Sequence, residues 1–313
     1  MMAEPKLRLG FREPDVDTNM PFVDGSVKIE GFDLEIVPFT GPDSVDAWDA
    51  SFGGLMQTKG KGDHPFVSIP AYPNRKFRLQ YIFVNNKSGI EEPHDLEGKR
   101  VFVSSTAGVW ARGALQNYYE IDFTRIRWVM SGSEAKPWAP GINVAPLPRG
   151  ANLDEMLLSG ELDAVIEPNV LPSVTKRDPR VRRLFRDWKT EEQTYFRQTG
   201  IFPISHMATL KQDFVKQHPE APVALLKAYR QARDVALDRI EGSDPSILTI
   251  SWASAAMAEQ RELMGDHYWP YNIEDNVRAL DAMMQYAHQF GLTPKQLEYQ
   301  SFFDPEAAAL TGW

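Results

Sequence analysis

Between residues 99 and 204 the chain alternates strand-like and helix-like segments, in the order "KRVFVSS", "TAGVWARGALQNYYE", "RIRWVMS", "NLDEMLLSGELDAVIEP". Repeated strand, helix, strand order closes best into a largely parallel sheet with helices on its faces. The flanking sequence supplies strands of its own. "LRLGF" at 7 to 11 and "VKIEGFDLEIVPF" at 27 to 39 alternate apolar and polar residues, with Gly31 between two short runs. "DSVDAWDASFGGLM" reads as a short helix broken near Gly53 and Gly54, and "HPFVSIPA" and "RLQYIFVN" as two further strands. The charged, turn-rich "GIEEPHDLEGKRVFVSS" marks a passage from one lobe to another, and "ISHMATL" from 204 reads as a strand returning to the first. The expectation is an α/β chain of two lobes, residues 1–98 with 205–313 and residues 99–204, with a cleft between them.

Three C-terminal segments read as helices. "HPEAPVALLKAYRQARDVALDRI" carries Pro219 and Pro222 near its start and a stripe of Leu225, Leu226, Tyr229, Ala232, Val235 and Ala236, as a core-facing helix does. "ISWASAAMAEQRELMG" and "NIEDNVRALDAMMQYAHQFG" follow, the last closed by Gly291. With 313 residues, the chain is long enough to bury a sizeable core. A net charge of -9 argues against a general nucleic-acid surface, and no apolar run reaches the length of a membrane span. The opening "MMAEPKLRLGFREP" lacks an apolar signal-peptide core, so the expected compartment is the cytoplasm. With no cysteine, disulfides, thiol catalysis and cysteine-held metals are excluded.

Small ligands favour domain interfaces and the carboxyl ends of parallel strands, so polar groups expected near such a cleft are the candidate site. "SSTAGVWARG" places Ser104, Ser105 and Thr106 at a helix start, where hydroxyls and amides bind a carboxylate or simply cap the helix, and Arg112 follows about a turn and a half later. In "YPNRKFR", Arg75 and Arg78 offer paired donor forks, and on a strand they would point to opposite faces. His206, at the end of "TGIFPISH", is a candidate proton donor because histidine titrates near neutrality; a packed strand histidine is the competing reading. Asp46, Asp49 and Glu167 are its possible partners, or else solvated acids and caps.

The runs "IPAYPNRKFR", "DLEGKRVFV", "VWARGALQNYY", "RRLF", "TGIFPISH" and "MGDHYWPYNIEDN" resemble, in order and over nearly the whole chain, the 4,5-dihydroxyphthalate decarboxylase family. That family is similar in fold to type II periplasmic solute-binding proteins, which implies the two-lobe α/β architecture. The resemblance implies non-oxidative loss of CO2 from a hydroxylated aromatic acid. Direct loss would leave an unstabilised aryl anion, so an acid must first protonate the ring carbon that bears the carboxylate. On that reading His206 is the acid, and Asp49 or Glu167 orients it or accepts a phenolic hydrogen bond. Arg75, Arg78 and Arg112, helped by Ser104, Ser105 and Thr106, hold the carboxylates. The chain departs from the family pattern at "LQYIF" after Arg78, at "DAWDASFGGLM" and at Ser205, positions that bear on which ring is accepted.

No organic cofactor is needed, because the hydroxylated ring itself holds the electrons. The six histidines are dispersed, with no HExxH, although a divalent-metal site of His206 with Asp49 or Glu167 stays open. His267, among aromatic and proline residues, reads as structural. The implied partner is a small aromatic carboxylate, with neither nucleic acid nor membrane, and a homo-oligomer is compatible with the sequence. The alternatives are a solute-binding protein for a small carboxylate or aromatic ligand, and a ligand-sensing or precursor-synthesising relative.

Overall fold

The computed structural model describes residues 4–62, 64–104, 108–132, 135–242 and 249–313. The chain divides into two compact units, one of Met1–Arg75, Ile204–Arg278 and Glu298–Trp313, the other of Lys76–Pro203 and Ala279–Leu297. Among the described residues each unit carries a six-stranded sheet.

The first unit's sheet uses β1 (Lys6–Gly10), β2 (Asp33–Ile36), β3 (Ala47–Ser51), β4 (Phe66–Ser68) and β5 (Asn74–Arg75), with β12 (Ile204–Lys211) arriving from far along the chain. Its order is β2-β1-β3-β12-β4, and β5 also pairs with β12. β1 is parallel to β2 and β3, whereas β12 is antiparallel to β3, β4 and β5. The helix Ala221–Glu241 has Pro222 in its first turn and buries Leu225, Leu226, Tyr229, Ala232 and Ala236, as its stripe predicts; Val235 is only partly covered.

In the second unit, β6 (Ile82–Asn85), β7 (Arg100–Val103), β8 (Arg127–Met130), β9 (Asn143–Pro146), β10 (Ala164–Ile166) and β11 (Val181–Arg183) stand in the order β11-β6-β10-β7-β8-β9. The strands β10, β7, β8 and β9 run parallel, as their alternation with helices requires. Phe83, Phe102, Val129, Leu157 and Val165 meet in its core.

Several boundaries differ from those expected. Residues 76–98 belong to the second unit, because β6 lies between β11 and β10 in its sheet. Residues 279–297 belong there too: on the helix Val277–Gln289, Tyr286 lies edge-on to Trp110, and Phe290 beyond it stacks with Phe123. Gly113 permits that approach, since a Cβ there would fall 2.2 Å from the Tyr286 ring. The segment expected as a broken helix is strand β3 followed by the helix Phe52–Gly60, which runs through both glycines after Ser51 caps it. Of the 27–39 run only β2 is a strand, Gly31 turning the chain at φ +80. No helix among the described residues is long and apolar enough to cross a membrane.

Candidate active site

The register of β12 builds the site. On β12, His206 faces Ser51 of β3 and Ala208 faces Asp49. Residues two apart on a strand share a face, so Asp49 is the diagonal neighbour of His206 and within reach of a long side chain. The two meet: His206 Nδ1 lies 3.0 Å from Asp49 Oδ2. The other oxygen, Asp49 Oδ1, accepts the backbone N–H of Arg12 at 2.5 Å. Asp49 is 0% exposed, while the His206 side chain keeps 12%. An Asp49 carboxylate is acceptor-only, so the ring nitrogen facing it carries a hydrogen, and Nε2 is the nitrogen left for chemistry. A buried acid held from behind and a partly open imidazole in front form an oriented proton-transfer pair.

The surroundings of this pair are polar and aromatic. Across the other edge of β12, Asn74 of β5 stands opposite His206, and the pairing slips by one residue between Ile204 and His206. Asn74 Nδ2 donates to Glu13 Oε2. Ser51 Oγ accepts the N–H of Gly54 at 3.5 Å. Tyr229 is fully buried, and burial, followed by the charge of Asp49, raises its phenol well above the usual range, so it stays protonated. Arg75 follows Asn74; it is buried, with its guanidinium carbon 5.8 Å from the centre of the Tyr72 ring. Burial pulls Arg75 down to about 10, against the opposing influence of Tyr72 and Tyr271.

The structure sorts the remaining candidates. Asp46 is occupied by a two-pronged bond from Arg8, Nη2 to Oδ1 at 2.8 Å and Nε to Oδ2 at 3.0 Å. Burial raises the Asp46 carboxyl, but its bonds to Arg8 outweigh that and leave it below the usual range. Arg78, Ser104, Arg112 and Glu167 lie in the second unit. Arg75 and Arg78 do not share a strand: Arg75 ends β5, and Arg78 opens the turn Leu79–Tyr81, with its guanidinium 5.6 Å from the Tyr81 ring centre. Arg112 is 0% exposed and lies 4.6 Å from the Phe290 ring centre and 4.9 Å from that of Trp138. Such placement is a cation–π packing arrangement. Ser104 follows β7, and its carbonyl accepts the N–H of Gly108, which precedes the helix Val109–Asn117. Ser105 and Thr106 lie outside the described residues. Glu167, whose carboxyl is raised by burial, follows β10. The imidazole's carboxylate partner is Asp49. His267 packs 4.4 Å from the ring of Trp313. Among the described residues no three His, Asp or Glu side chains converge as metal ligands.

Sequence reading missed Asn74, Glu13, Tyr72, Tyr229 and the Arg12 amide. The pairing of β12 with β5 sets Asn74 opposite His206, and Asn74 in turn holds Glu13; spacing along the chain carries no signal of either.

No family model matches the chain. Among solved structures, the periplasmic aliphatic sulphonate binding protein SsuA from Escherichia coli is similar in fold, with a TM-score of 0.54 at 14% identity over 96% of this chain and 92% of that one. The 4,5-dihydroxyphthalate decarboxylase of Comamonas testosteroni is 28% identical over 96% of this chain and 97% of its own length. The 4,5-dihydroxyphthalate decarboxylase of Pseudomonas putida is 31% identical over 63% of this chain and 86% of its own length. The chain therefore belongs to the 4,5-dihydroxyphthalate decarboxylase family.

Proposed function

We propose that the protein is a non-oxidative decarboxylase of a hydroxylated aromatic carboxylic acid of the 4,5-dihydroxyphthalate kind, acting in the cytoplasm. The observation that carries the proposal is the buried Asp49 carboxylate on His206 Nδ1, at 3.0 Å. In the protonated ring of His206, Nε2–H is the acid. Its proton passes to the ring carbon that bears the departing carboxylate, a C–H bond forms, and a ring hydroxyl oxygen supplies electron density as it does so. The bond to the carboxylate then breaks, its electron pair restores the aromatic ring, and CO2 leaves. His206 regains a proton from solvent. Asp49 stabilises the imidazolium before transfer and keeps the ring from turning away. Arg75, a guanidinium fork that follows Asn74 and pairs with Ile204 two residues before His206, is the proposed partner of a substrate carboxylate. The proposal gives Arg78, Ser104, Arg112 and Glu167 no chemical step.

The likeness in fold to a sulphonate-binding protein supports a second reading, a carboxylate-binding protein without catalysis. One experiment separates the two. The purified protein is incubated in D2O with hydroxylated benzoates and phthalates while CO2 and ring products are followed. The proposal expects one CO2 per ring acid consumed and one deuterium on the vacated carbon. Binding of the same acids with no CO2 released would support the second reading and refute the first.

A further inference from the structure

We propose that Asn74 recognises a hydroxyl of the substrate ring, accepting its O–H on Oδ1; the inference rests on the decarboxylase reading and deepens it. Three observations lead there. First, an acceptor is needed near His206, because a hydroxyl that gives up part of its proton pushes electron density toward the carbon being protonated. Asp49 already serves two donors, the Arg12 N–H on one oxygen and the imidazole on the other, and its side chain is 0% exposed. Second, Asn74 stands opposite His206 in an antiparallel pair, and such partners project from the same face of a sheet. The register slip beside it is the kind of irregularity that re-aims side chains near active sites. Third, Asn74 is 4% exposed, and its Oδ1 is buried with no hydrogen-bond partner among the described residues. Folded proteins rarely leave a buried acceptor so.

The identity of the free atom is set by Glu13. A carboxylate only accepts, so the amide nitrogen faces Glu13 and the oxygen faces away. The negative charge behind the NH2 also polarises the amide and makes Oδ1 a stronger acceptor.

The test uses two ligands, 3,4-dihydroxybenzoate and benzoate, which share a carboxylate and differ in the hydroxyls. Calorimetric titration of wild type should show preference for the dihydroxy acid. Asn74→Ala should weaken that ligand about tenfold, the worth of one well-made hydrogen bond, and move benzoate less than twofold. Glu13→Gln, which keeps the amide contact without the charge, should give a smaller loss confined to the same ligand. Asn74→Val, a better strand former, measures the same difference should the alanine variant fail to fold. Equal weakening of both ligands, or unchanged preference, would overturn the assignment. The CO2 assay on wild type is scored separately: lost preference without any CO2 release would retain Asn74 as a recognition residue and reject the decarboxylase reading, while CO2 release with preference intact in the variants would reject Asn74 alone.

Discussion

Glu192 offers a measurable link between pH and the stability of the second unit. It lies on the helix Trp188–Thr199 and is 4% exposed. Its Oε1 accepts the Gln80 N–H at 2.9 Å and its Oε2 accepts Gln80 Nε2 at 3.1 Å, which fastens the turn Leu79–Tyr81 beside Arg78. Burial pushes this carboxyl from 4.5 up to about 7, against the lowering influence of Gln80 and Arg183. The folded protein therefore holds the proton more tightly than the unfolded chain. Stability from this group is fully present below pH 4.5 and is lost as pH rises through about 7. At 1.36 kcal/mol per unit, the shift corresponds to a loss on the order of 3 kcal/mol. The assay is urea unfolding of wild type and Glu192→Gln at pH 5 and pH 8. Other carboxyls titrate alike in both proteins and cancel. Wild type should lose roughly 2.5 kcal/mol more than the variant between those pH values. Parallel losses in the two proteins would refute the argument.

Other consequences are equally direct. Asp49→Asn should lower kcat by about 10²–10⁴-fold with little change in KM, because the imidazolium loses its counter-charge and orientation; steady-state kinetics on the accepted ring acid reads both. Arg75→Gln should weaken carboxylate binding by about tenfold or more in calorimetric titration, since it removes the charged donor fork. Gly113→Ala should lower the melting temperature despite its better helix propensity, since the added methyl meets the Tyr286 ring at 2.2 Å. Overpacking of this kind costs about 1–3 kcal/mol.

The β/α alternation from 99 to 204 made β7, β8 and β10 legible, because each follows from local periodicity, whereas the short β9 and β11 carry too few apolar residues to stand out. The unit boundary was not legible at 98, since β6 is an apolar strand that would suit either sheet and only its pairing with β10 and β11 decides. The helix Trp188–Thr199 escaped notice for the opposite reason: its sequence "WKTEEQTYFRQT" buries only Glu192 and Tyr195, so it has almost no apolar stripe. Asp49 was legible as a residue type but not as a strand residue, because Gly53 and Gly54, four and five residues after it, suggested a broken helix. His206 stood out as a strand histidine. Its partners did not, because Asp49 and Asn74 come from strands that pair with β12, and the Arg12 amide from just after β1, which lies beside β3.

The central claim is that His206 delivers the proton. Replacement by Asn keeps a hydrogen-bonding group and removes the titratable proton. Single-turnover kinetics of His206→Asn, with substrate affinity measured on the same protein, should show turnover reduced by about 10²–10⁴-fold and affinity within a few-fold of wild type. Near-normal CO2 release by His206→Asn would contradict the account, and the acid would then have to be another group.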